Sequence, residues 1–159
     1  MHTQTLYQKA IKFAGEKHSN QIVPGTNSNY LLHLSNVAME ILIASYNTKN
    51  FELGFAIQVG LLHDILEDTD TTFNELRSLY GKEIADAVSA LSKNSDLPKK
   101  RQMQDSLNRV KKLQPEVWAI KLRFSDTCTY DTLGDCSAHV LVWLRGNDNN
   151  VSHYAFSNN

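Results

Sequence analysis

The chain has 159 residues, 42% of them apolar, and a formal net charge of −1. That suits one domain with a sizeable core and gives no reason to expect nucleic acid or an anionic membrane as main partner. No apolar run approaches the roughly 18 residues of a membrane span, no signal-peptide pattern opens the chain, and Cys128 and Cys136 form no metal-knuckle spacing, so a reducing cytoplasm is the expected location.

In chain order, Leu6, Ala10, Phe13 and Ala14 follow helical spacing and predict an amphipathic first helix from about Thr5 to His18. Pro24-Gly25-Thr26-Asn27-Ser28-Asn29 is a turn-rich loop. Leu34, Val37, Ala38, Ile41, Leu42 and Ser45 lie on the spacing of a second helix, with His33 at its start, where a histidine can face a central cleft. Phe55 to Leu62 is apolar nearly all round, as a central core helix would be. Thr72 and Glu75 have capping-box spacing for a short helix that ends at Gly81, expected as a left-handed C-cap. Ile84, Ala87, Val88 and Leu91 mark a further helix, Met103, Leu107 and Val110 another, and Pro115 suits the start of one running through Leu122.

The central stretch is Leu61-Leu62-His63-Asp64-Ile65-Leu66-Glu67-Asp68-Thr69. A buried carboxylate costs several kcal/mol unless it is paired or binds a metal. On a continuous helix His63 and Glu67 would form one column and Asp64 and Asp68 the next. His63 and Asp64 could then share a divalent ion, with Glu67 and Asp68 near any bound water. The alternative is a solvated acidic turn closing a core helix. Acids prevail from Glu52 to Asp86 and bases from Lys93 to Arg123, a pairing that suits a phosphorylated small substrate.

Beyond Lys121, Thr127 to Tyr130 and Val140 to Leu144 favour strands by propensity, and the polar end is expected to fray. Two units follow: residues 1–122 as a helical domain and 123–159 as a divergent C-terminal segment.

Phe13-Ala14…His18…Gln21, Tyr30-Leu31-Leu32-His33…Val37-Ala38, the nine residues from Leu61 to Thr69, Leu91-Ser92-Lys93 and Ile120-Lys121-Leu122 occur in family order. On these the chain resembles the HD superfamily of metal-dependent phosphohydrolases, and within it the alarmone (p)ppGpp hydrolases, the hydrolase domain of RelA/SpoT-type enzymes and their small stand-alone relatives. The resemblance implies an all-α helical bundle with one Mn²⁺-type ion held by His33, His63, Asp64 and a later aspartate; Fe²⁺ and Zn²⁺ are the other candidates. It implies release of pyrophosphate from the 3′ position of ppGpp, with Glu67 as general base or water-positioning residue and Asp68 in support. Lys93, Lys99 and Lys100 are candidate phosphate contacts. His18 and Gln21 are expected to support the pocket wall.

Three departures from the family pattern stand out. Ile22-Val23-Pro24 replaces the basic residues usual after the first-motif glutamine, and Leu34 replaces the proline after the first metal histidine. After Leu122 the expected Ala-Asp-Arg is absent, and Asp126 can serve as fourth ligand only if two extra residues are absorbed. A frameshift and a natural divergent end both account for this. The expected function is therefore a Mn²⁺-dependent (p)ppGpp 3′-pyrophosphohydrolase. The alternatives are a hydrolase acting on another nucleotide phosphate, or a catalytically impaired nucleotide-binding module. The expected partner is a guanosine polyphosphate or other nucleotide, and an apolar face left uncovered would make the chain a homo-oligomer.

Overall fold

The computed structural model describes residues 2–46 and 48–123, with side chains through Lys121. Asp126, both cysteines and the two strand-prone stretches lie outside the described residues. Eight helical segments make up the described chain: α1 (Thr3–Lys17), α2 (Leu31–Tyr46), α3 (Leu53–Leu62), α4 (Ile65–Asp68), α5 (Phe73–Tyr80), α6 (Lys82–Leu91), α7 (Lys99–Val110) and α8 (Pro115–Arg123). Among the described residues the one β interaction is an isolated antiparallel bridge between Ile22 and Asn29, and no helix is long and apolar enough to cross a membrane. The domain is all-α.

Helix α3 is the central element. Ala56, Ile57, Val59, Gly60, Leu61 and Leu62 are all buried, and α1, α2, α6 and α8 pack around it. Its nearly all-apolar circumference follows from that position; Leu53, Gly54, Phe55 and the polar Gln58 are only partly buried. The approach of α2 depends on Gly60: a Cβ there would overlap Ile41 Cδ1 and lie 3.2 Å from Val37 Cγ1. From the other end, the buried Glu116 of α8 accepts the N–H of Glu52 at 3.0 Å and satisfies a donor at the start of α3.

Helix α6 ends against α7 and α8, which supply partners for its last carbonyls. Ser106 donates to Ala90 O (2.7 Å), and the buried Lys121 ammonium donates to Leu91 O (2.8 Å). Arg109 donates to Ser89 O and, at 2.7 Å, to Ser92 O. Cations at a helix C-terminus also complement its dipole. These bonds fix the chain at Leu91–Lys93, which forms one wall of the cleft described below.

Local signals explain several helix ends. Thr72 Oγ1 accepts the Glu75 N–H at 3.2 Å, and Pro115 is the first residue of α8. Gly81 closes α5 with positive φ, as expected, but its ψ of 167° is extended rather than left-handed helical. This conformation belongs almost only to glycine, and it turns the chain directly into α6. The outer side of α2 is apolar and exposed at Leu32, Met39, Ile43 and Tyr46.

One expectation is corrected. His63, Asp64, Glu67 and Asp68 do not ride on a single helix, because α3 stops at Leu62 and α4 starts at Ile65. The His63 ring takes the Gly60 carbonyl through Nδ1 at 2.7 Å, the acceptor that the Asp64 N–H would use in a continuous helix. Asp64 then sits at φ −98°, ψ −2°, in the bridge region between helix and strand. The chain resumes when Asp68 N–H bonds to Asp64 O at 2.8 Å.

Candidate functional site

The break between α3 and α4 turns His63 and Asp64 toward the first turn of α2, where His33 lies. His33, His63 and Asp64 each offer one ligand atom, and the three atoms lie within 4.8 Å of one another. Asp64 Oδ2 is 2.7 Å from His63 Nε2 and 3.7 Å from His33 Nε2. The two ring nitrogens are 3.4 Å apart.

The Gly60 carbonyl can only accept, so the proton of a neutral His63 ring sits on Nδ1 and the Nε2 lone pair faces the cluster. Its 2.7 Å approach to Asp64 then requires a positive charge between them. In the metal-free protein a proton on Nε2 supplies it. Burial works against that proton, but the Asp64 carboxylate outweighs burial and raises the His63 pKa. Burial likewise opposes the Asp64 anion, yet the His63 charge, the nearby His33 ring and the hydrogen bonds from His63 and Tyr30 hold its carboxyl well below the usual carboxylate range. A divalent cation can take the place of that proton. Two imidazole nitrogens and a carboxylate oxygen suit Mn²⁺ or Fe²⁺ at least as well as Zn²⁺.

His63 and Asp64 open onto a cleft also lined by Glu67, Leu91, Lys93, Met103, Ile120 and Lys121. Glu67 points into it and is held from the opposite wall. The Lys93 N–H donates to Glu67 Oε2 at 3.0 Å, and the Lys93 ammonium lies 3.9 Å from Oε1. Lys93, expected as a phosphate contact, is thus also a partner of Glu67. Lys99 and Lys100 are exposed on the first turn of α7, one turn before Met103, and are not among the residues lining the cleft.

Asp68 is likewise not among the lining residues and lies on the α1 side. Its carbonyl accepts from Gln21 Nε2 at 2.6 Å, tying the loop after α1 to the end of α4. Burial first, then the charges of Asp64 and Glu67, raise the Asp68 pKa. His18, buried at 1% exposure, stacks on Tyr30 and bonds Gln21 through Nδ1 at 2.7 Å, so His18 and Gln21 form part of the wall beside the cluster.

Sequence reasoning missed Tyr30, whose hydroxyl donates to Asp64 Oδ2 at 2.5 Å. A partner 34 residues away leaves no local spacing to read; only the tyrosine's place three residues before His33 hinted at it.

Known proteins bear on this geometry. No family model matches the chain. It is 36% identical over 107 residues to a guanosine-3′,5′-bis(diphosphate) 3′-pyrophosphohydrolase of Spiroplasma citri, covering 67% of this chain and 13% of that protein. It is 33% identical over 115 residues to the MESH1 guanosine-3′,5′-bis(diphosphate) 3′-pyrophosphohydrolase of Danio rerio, covering 72% and 62%. The chain therefore spans a small fraction of the long bacterial relative and under two thirds of the shorter one. A solved structure described as a metazoan orthologue of SpoT that hydrolyses ppGpp superposes with a TM-score of 0.61 at 19% identity, covering 89% of this chain and 86% of that one. That likeness establishes the shared helical fold. Over 67–72% of its length the chain is thus a homologue of proteins named guanosine-3′,5′-bis(diphosphate) 3′-pyrophosphohydrolases.

Proposed function

We propose that this chain is a Mn²⁺-dependent (p)ppGpp 3′-pyrophosphohydrolase of the cytoplasm, with residues 1–122 as its hydrolase domain and 123–159 as a divergent extension. The observation that carries this reading is the convergence of His33, His63 and Asp64 at the mouth of a cleft that also receives Glu67, in a chain whose relatives bear that activity in their names. His33, His63 and Asp64 would hold the ion, with Asp126 as fourth ligand. When bound, the ion supplies a Lewis acid for a phosphoryl oxygen and makes water a better nucleophile near neutral pH.

The chain's own residues supply positioning and proton transfer. Glu67, oriented by the Lys93 N–H, accepts a proton from the attacking water. The water oxygen forms a bond to phosphorus as the bond from phosphorus to the ribose 3′ oxygen breaks. That oxygen takes up a proton, leaving GDP from ppGpp or GTP from pppGpp, and free pyrophosphate. Asp68, with its raised pKa, is the member of the acidic pair better suited to holding a proton, and acts in support from the α1 side. The Lys93, Lys99 and Lys100 ammonium groups are the cations for the substrate's phosphates.

A second reading keeps the chemistry and changes the substrate to another nucleotide phosphate. The observation favouring it is the loop after Gln21, where Ile22 is 60% exposed and Val23 is buried, so no cation stands there to meet a tetraphosphate. Incubation of the chain with ppGpp and Mn²⁺, followed by separation of products, tests the proposal. GDP and pyrophosphate in equal amounts are expected. Turnover of other nucleotide phosphates alone would establish the second reading. Absence of turnover on every nucleotide despite bound Mn²⁺ would leave a nucleotide-binding module.

A further inference from the structure

Tyr30 immediately precedes α2 and is nearly buried, at 9% exposure. Its N–H donates to Gln21 O at 3.0 Å. Its ring stacks on His18, with centroids 4.5 Å apart and planes 20° from parallel, and its hydroxyl reaches Asp64 Oδ2.

The support behind that ring is fixed group by group. Asp68 O can only accept, so the Gln21 amide must present Nε2 to it and Oε1 to His18. Oε1 in turn accepts from His18 Nδ1 at 2.7 Å, which sets the orientation of the imidazole against which Tyr30 stacks. The phenol therefore approaches Asp64 from a fixed direction. It meets the same carboxylate oxygen that faces the His33 and His63 nitrogens.

We propose that Tyr30 is a positioning residue for the His33–His63–Asp64 cluster: its hydroxyl sets the rotation of the Asp64 carboxylate and thereby the affinity of the cluster for a divalent cation. The inference rests on the reading of that cluster as a metal centre. The terminal torsion of an aspartate is broad, so a lone Asp64 would lose rotational freedom each time it bound an ion. The phenol occupies one lone pair of Oδ2 and leaves the remaining carboxylate lone pairs for the ion. Groups that orient a metal ligand in this way commonly change affinity roughly ten- to a hundredfold.

The test is a calorimetric Mn²⁺ titration of the full chain, of Tyr30→Phe and of Tyr80→Phe, with melting midpoints of all three recorded without metal. Tyr30→Phe keeps the ring on His18 and removes only the hydroxyl. Tyr80→Phe is the control, because the Tyr80 hydroxyl donates to Lys9 O between α1 and α5 and does not touch the cluster. Tyr30→Phe is expected to weaken Mn²⁺ binding roughly ten- to a hundredfold, with Tyr80→Phe binding as the native chain does and the metal-free midpoints of the two variants similar. Equal affinity of Tyr30→Phe and the native chain would overturn the proposal and leave the metal centre standing. So would a loss of affinity that merely follows a loss of melting midpoint, in the proportion Tyr80→Phe shows. A native chain that binds no Mn²⁺ would overturn the metal centre itself, and Tyr30's role with it.

Discussion

At the scale of single residues, the Gly60 carbonyl determines what His63 can do. By accepting from Nδ1 it turns Nε2 toward Asp64, and the pair stabilises the metal-free fold over a limited pH range. The His63 pKa is raised in the fold, so its contribution is complete below the unfolded value of about 6.5 and is lost as pH rises through the folded one. The Asp64 pKa is depressed, so its contribution is complete above about 3.9 and is lost as pH falls through the folded value. Without metal, Asp64→Asn should therefore lower the melting midpoint more at about pH 6 than at about pH 9; a deficit independent of pH would contradict the pairing. His33, His63, Asp64 and Glu67 stood out in the sequence because chelating and acidic side chains interrupt or border apolar helical runs. The hydroxyl of Tyr30 and the N–H of Lys93 did not, since each acts across a distance in sequence that no periodicity encodes.

At the scale of elements, the helices were legible wherever local chemistry sets their ends and their buried stripes. Thr72 caps α5 and Pro115 begins α8, while Ile84, Ala87, Val88 and Leu91 turn to the core as their spacing requires. The break after Leu62 was hidden because nothing in Leu62-His63-Asp64-Ile65 disfavours a helix strongly. It arises from a side chain competing for a backbone acceptor. Gly60 serves both packing and site, admitting α2 against α3 and presenting the carbonyl that orients His63. Gly60→Ala forces Ile41 and Val37 aside, and overpacking of this kind costs about 1–3 kcal/mol. Chemical denaturation should show a loss of that order with Mn²⁺ affinity also reduced, since α2 carries His33. A variant as stable as the native chain would show that α2 and α3 do not depend on this close approach.

At the scale of the molecule, the cleft is assembled from parts distant in sequence: the break after α3, Glu67 on α4, the end of α6, Met103 on α7 and the last turn of α8, with His33 of α2 joining His63 and Asp64 at its edge. The bonds from Arg109, Ser106 and Lys121 to the last carbonyls of α6 hold its far wall at Lys93, opposite Glu67. The central claim is that a metal held by His33, His63 and Asp64 and the Glu67 carboxylate, held from the far wall by Lys93, act on one substrate. The most direct measurement follows pyrophosphate release from ppGpp at saturating Mn²⁺, with bound metal quantified in the same samples, for the native chain and for Glu67→Ala/Asp68→Ala. The account predicts one Mn²⁺ per chain in both proteins and pyrophosphate release by the native chain alone. Equal rates from both proteins would contradict it.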